Sequence, residues 1–178
     1  MVTFQSVGRK LVEEAVAHVQ KVLSCLSSPQ VPTRMAYVGR ASGLYVLVSR
    51  KWFIVRNLLM ALKDRGLVKI VPVGTKNFWA IQEPTVHPAV ALLANLEVEG
   101  RRIIAGMQNH LVYLLISKGG SCPKRTLEVE SGLNLQTSGK HQRYIFWLLV
   151  QDLKERGVFA EKTEVLPSGK KVTTISFA

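Results

Sequence analysis

Apolar residues recur every three or four positions through VGRKLVEEAVAHVQKVLSCL (7–26), with Leu11, Val12, Ala15, Val19, Val22 and Leu23 near one side. That period is helical, so the spacing predicts an amphipathic helix, stopped by Ser27-Ser28-Pro29. PTRMAYVGRASGL (32–44) then predicts a short helix with Pro32 in its first turn and Gly43 at its end. In FIVRNLLMALKDRG (53–66), Ile54, Leu58 and Leu62 fall at i, i+4, i+8 beside Val55 and Leu59, one apolar face of a longer helix. Gly66 suits the left-handed residue that ends a helix, and Lys63 and Arg65 suit the negative end of its dipole. The pattern then changes period. LVKIVPVGTKNFWAI (67–81) is β-rich on either side of Val73-Gly74-Thr75, which predicts a hairpin.

The same order of signals returns in the second half. Residues 144–157, YIFWLLVQDLKERG, align with 53–66 at an offset of 91. Ile54/Ile145, Leu58/Leu149, Leu62/Leu153, Lys63/Lys154, Arg65/Arg156 and Gly66/Gly157 are identical. Upstream, Ser-Gly-Leu recurs at 42–44 and 131–133, an offset of 89. Helical spacing predicts RRIIAGMQNHLVYLLISK (101–118) as the second first helix, and PKRTLEVESGL (123–133) as a second short helix with Pro123 in its first turn. VFAEKTEVLPSGKKVTTISF (158–177) predicts a second hairpin turning at Pro167-Ser168-Gly169, with Thr173, Ile175 and Phe177 on one face. Self-similarity in order and spacing means two units of one design. Residues 1–83 and 99–178 form these units. The segment 84–98, EPTVHPAVALLANLE, reads as a linker with a short packing helix.

Helix, short helix, turn, long helix and hairpin, with [DE]-R-G and an apolar pair at the seam, resembles the winged-helix family of helix-turn-helix domains, here in tandem. The resemblance covers about residues 5–83 and 99–178. It implies an α+β, mainly α fold, each domain carrying three helices and a β-hairpin wing. It also implies duplex DNA as partner, with the third helix of each domain reading the major groove and the wing touching the backbone or minor groove.

The residues at those positions have fitting chemistry. Ser49 suits the N-cap of the first reading helix, and Arg50, Lys51 and Arg56 are long cationic donors on its first turns. The first wing offers Lys69, Thr75, Lys76 and Asn77. The short helix begins at Thr33-Arg34, where backbone N–H groups can donate to a phosphate, and Arg40 lies on the same element. Trp52 reads as core. In the second unit the candidates are Ser138, Lys140, His141, Gln142 and Arg143, then Ser168, Lys170 and Lys171 in the wing, with Lys124 and Arg125 paralleling Arg34. Gln reads adenine edges, and Arg or Lys reads guanine. Gly139 at the helix start and Glu128 and Glu130 on the short helix weaken this second copy.

Charge sharpens the picture. The chain has 178 residues, 24 Lys+Arg against 12 Asp+Glu, a formal +12 and a pI near 10.1. Such a balance favours an anionic partner, nucleic acid first. Residues 1–89 carry 12 basic and 4 acidic residues, against 12 and 8 in residues 90–178, so the first unit is expected to bind more strongly. The longest apolar runs, HLVYLLIS (110–117) and YIFWLLV (144–150), fall well short of the roughly 18 residues that span a bilayer. No signal-peptide core opens the chain, so no membrane partner is expected and the location is intracellular: cytoplasm or nucleoid, or nucleus in a eukaryote. Cys25 and Cys122 lack metal-site spacing and read as small buried apolar residues. His18, His87, His110 and His141 have no carboxylate or thiol at ligand spacing, VGRASG (38–43) lacks the Lys-Ser/Thr of a phosphate loop, and no nucleophile elbow is present. No enzyme, metal or cofactor is expected. The leading function is DNA binding as a transcription regulator, replication initiator or chromatin protein. The alternatives are structured RNA as ligand, and a protein–protein adaptor in a chromosome-segregation or polymerase assembly. The apolar first helix of either domain also offers a face for a homodimer.

Overall fold

The computed structural model describes residues 3–46, 52–83, 92–135 and 144–178. Helix α1 spans Phe4–Leu26, three residues longer at its start than the apolar spacing suggests. The reason is a capping box: the Thr3 hydroxyl accepts from the Ser6 amide at 3.1 Å, and Ser6 Oγ accepts from the Thr3 amide at 3.2 Å. Helix α2 (Met35–Ser42) has Arg34 at its N-cap and Gly43, at φ 66°, after it. Pro32 therefore precedes the helix instead of sitting in its first turn, and Thr33 forms a β-bridge with Trp79. Helix α3 (Phe53–Asp64) has Trp52 at its N-cap position, and Ser49, expected as the cap, lies outside the described residues. Strands β1 (Val68–Val73) and β2 (Lys76–Ile81) pair antiparallel around a two-residue Gly74-Thr75 turn.

Helix α4 spans Leu92–Ser117 without a break. The end of the expected linker, residues 92–98, is thus the first part of this helix, while 84–91 lie outside the described residues. Strand β3 (Ser121–Pro123), α5 (Lys124–Ser131), α6 (Tyr144–Glu155), β4 (Phe159–Val165) and β5 (Lys171–Phe177) complete the chain. Pro123 is the N-cap of α5, again ahead of the helix. Its strand pairs Cys122 with Ile175, giving a three-stranded antiparallel sheet ordered β3-β5-β4. The seam glycines Gly66 and Gly157 adopt φ of 73° and 70° with no neighbour within 4 Å of a notional Cβ. Their requirement is therefore backbone conformation, not space. The fold is α+β, with six helices and two small antiparallel sheets among the described residues.

The two halves share one apolar core. Helix α1 packs on α4, α2 also lies against α4, α5 lies against α1, and α3 meets α6. The apolar faces of the two first helices, expected to be open for self-association, thus meet each other inside the chain. Val19, Val22, Leu23, Leu58, Leu62, Met107, Leu111, Leu114, Leu148 and Leu149 are fully inaccessible. Mutual packing also encloses α3 and α6. Helix α3 buries Ile54, Val55, Asn57, Leu58, Leu59, Ala61 and Leu62, leaving Arg56, Lys63 and Asp64 exposed.

Candidate nucleic-acid interface

In each half the chain leading into the short helix pairs with the second strand of the hairpin. The Thr33–Trp79 bridge sets this in the first half, and the β3–β5 ladder sets it in the second. Arg34, at the start of α2, therefore reaches β2, and its guanidinium lies 5.4 Å from the centre of the Phe78 ring. An exposed contact of this kind is worth about 0.5–1 kcal/mol and holds the cation in place without neutralising it. Lys76 and Asn77 follow on the exposed tip of the same strand, with Thr75 in the turn. Lys69 is half-buried on β1, opposite Ala80.

In the second half, Arg125, Lys170 and Lys171 line one open groove of about 630 Å³ between α5 and the start of β5. Lys124, Thr126, Glu128 and Thr173 complete much of its wall. Thr126 and Thr173 add hydroxyls to the groove, which no local sequence pattern marks. Ser168 lies at the exposed hairpin turn. Lys124 is engaged differently from its neighbours. Its ammonium lies 2.8 Å from Glu161, and Lys154 binds the other oxygen of that carboxylate. Burial pushes the Glu161 pKa up, and the hydrogen bonds from Lys124 and Lys154 outweigh it, leaving the carboxyl below its ordinary value. Met35 and Ile70 stand at the corresponding positions of the first half, so this polar clamp belongs to the second alone.

Several acids are drawn into ion pairs away from this groove. Glu13 holds Arg65 through two hydrogen bonds of 2.7 and 2.8 Å, joining α1 to the end of α3. Glu14 pairs with Arg102, Glu97 with Arg101, and Glu130 with Lys118. Buried Asp152 accepts from Gln108 at 2.5 Å and from Arg156 at 2.7 Å, tying α4 to α6. By contrast, Arg34, Arg40, Arg56, Lys69, Lys76, Arg125, Lys170 and Lys171 carry no ion pair among the described residues. The chain matches no protein-family model, no curated protein and no solved structure in comparisons with known proteins.

That geometry does not gather every candidate. Arg40 lines a separate cavity of about 450 Å³ with Tyr45, Trp52 and Glu97. Trp52 packs edge-on against Tyr45, at 5.5 Å between ring centres, and fills the space above Gly39, in keeping with its reading as a packing residue. Arg56 lies over the Phe53 ring at 5.7 Å on the outer side of α3. Arg50, Lys51, Ser138, Lys140, His141, Gln142 and Arg143 lie outside the described residues. Cys25 and Cys122 are free thiols, half-buried and buried respectively, and burial raises the pKa of both. Among the described residues no helix is long and apolar enough to cross a membrane.

Proposed function

We propose that this protein binds duplex DNA as a tandem winged-helix protein inside the cell, using the short-helix and hairpin edge of each half. One observation carries the reading: among the described residues the cations beside the hairpins, Lys76, Arg125, Lys170 and Lys171, have no ion-pair partners, while Glu13, Glu14, Glu97 and Glu130 are paired with other cations. An unpaired lysine or arginine can neutralise a phosphate and release its counterion, which is the main source of affinity for a polyanion. Transcription regulation is the default role for such a surface.

A second reading, a protein–protein adaptor, is favoured by the packing of α3 on α6, which buries much of both helices. Electrophoretic mobility shift with a short duplex at about 150 mM salt separates the two. A shifted band at sub-micromolar protein supports DNA binding. Its absence, with only weak association at low salt, supports the adaptor. Competition by an RNA duplex of equal length identifies the preferred nucleic acid.

A further inference from the structure

The two halves touch reciprocally. Gly8 of α1 lies so close to the end of α5 that a Cβ there would sit 1.7 Å from the Ser131 carbonyl oxygen. Gly100 of α4 lies against α2 in the same way, 1.6 Å from the Ser42 carbonyl oxygen. Those two carbonyls also accept from matching histidines: His18 Nε2 at 2.9 Å from Ser42, and His110 Nε2 at 2.8 Å from Ser131. A Cβ on Gly43 would meet the Glu97 carbonyl oxygen at 2.1 Å, and one on Gly132 would meet that of Gln5 at 2.2 Å. Helices α1 and α4 pack on one another, as do their counterparts α3 and α6.

Reciprocity of this kind fixes the symmetry relating the halves. In a head-to-tail arrangement, a patch on one unit meets a different patch on the next, and the return contact is missing. When residue i of the first touches j of the second and j of the first touches i of the second, the operator is a two-fold axis. We infer that the protein is a covalent pseudo-dimer whose DNA target is bipartite and inverted: two half-sites approached in opposite directions along the duplex. This inference rests on the proposed DNA binding.

The half-sites need not match in sequence, because the two edges present different residues: Arg34, Lys76 and Asn77 in one half, Arg125, Lys170 and Lys171 in the other. Their spacing is bounded too. Helices α3 and α6 each have 12 residues and touch each other. At about 1.5 Å per residue, their starts lie no more than roughly 40 Å apart. That allows half-site centres up to about one turn of B-DNA apart, roughly 34 Å, and excludes two turns.

The test uses the full chain. A duplex selected from a random pool is first footprinted. A DNA-cleaving reagent is then tethered to Thr75→Cys or Ser168→Cys, one at each hairpin turn, with Cys25→Ala and the buried Cys122 retained. The expected result is two cleavage centres placed mirror-symmetrically about the centre of the footprint. Cleavage displaced in the same direction from each half-site, as on a direct repeat, overturns the inference and leaves DNA binding intact. So does a footprint with half-sites two turns apart, or tight binding to the pool with no enriched sequence. Failure of the pool to bind at all overturns the DNA reading itself.

Discussion

At the scale of single residues, position in the sequence and availability in the structure are separate matters. Lys124 and Arg125 are neighbours, both read as contacts at the start of a short helix. Only Arg125 is unpaired, because Glu161 comes across from β4 to take Lys124. Replacing Arg125, Lys170 and Lys171 together by Ala is expected to weaken DNA binding and to flatten the log–log salt dependence by about 2–3 units, close to one per lost phosphate contact. Lys124→Ala is expected to leave that slope unchanged and to lower thermal stability instead. Fluorescence anisotropy across a salt series measures the first, and thermal unfolding the second. The Lys124–Glu161 pairing was not legible in the sequence. It depends on the register that places Glu161 opposite Ile175 and so beside the α5 start, which no local pattern gives.

At the scale of elements, the hairpins, the seam glycines and the presence of the short helices follow the sequence pattern, because each depends on local turn residues and period, although Pro32 and Pro123 precede those helices instead of opening them. The start of α4 does not. A glycine at 100 ordinarily interrupts a helical pattern, and the prolines upstream favour a linker. Here Gly100 sits inside a helix because the Ser42 carbonyl occupies the space of a side chain. Gly8→Ala and Gly100→Ala are each expected to destabilise the fold by about 1–3 kcal/mol through overpacking against backbone. Gly106→Ala is the contrast. Its Cβ would meet only Leu11 at an ordinary 3.6 Å, so the change is expected to be neutral or to stabilise by about 0.5–1 kcal/mol. Chemical denaturation of the three variants checks the order.

The histidine at the same junction adds a pH dependence. Burial holds the pKa of His110 below its ordinary 6.5, partly opposed by its bond to the Ser131 carbonyl. Below pH 6.5 the unfolded chain binds a proton that the folded chain resists, so stability falls as pH drops from 6.5 through the folded value. His110→Gln is expected to lose this slope in thermal unfolding followed between neutral and mildly acidic pH.

At the scale of the whole molecule, the repeat was legible and its consequence was not. Offsets of 91 and 89 mark two units of one design, but say nothing of how they meet. A further offset of 92 relates Gly8 to Gly100 and His18 to His110, the residues that join the halves. These residues lie on helices whose apolar faces alone suggested a surface for a separate partner. Each half supplies the partner for the other, and the halves share one apolar core. What remains at the surface is a strongly basic molecule, and among its described residues Lys76, Arg125, Lys170 and Lys171 stand unpaired beside the two hairpins. The most direct measurement of what that surface does is the salt dependence of duplex DNA affinity for the unaltered chain. If roughly 6–10 cations engage phosphates, affinity falls about 10³–10⁵-fold between 50 and 200 mM salt while specific binding persists at the upper end. Affinity that is negligible throughout, or that does not vary with salt, would contradict DNA binding through these cations.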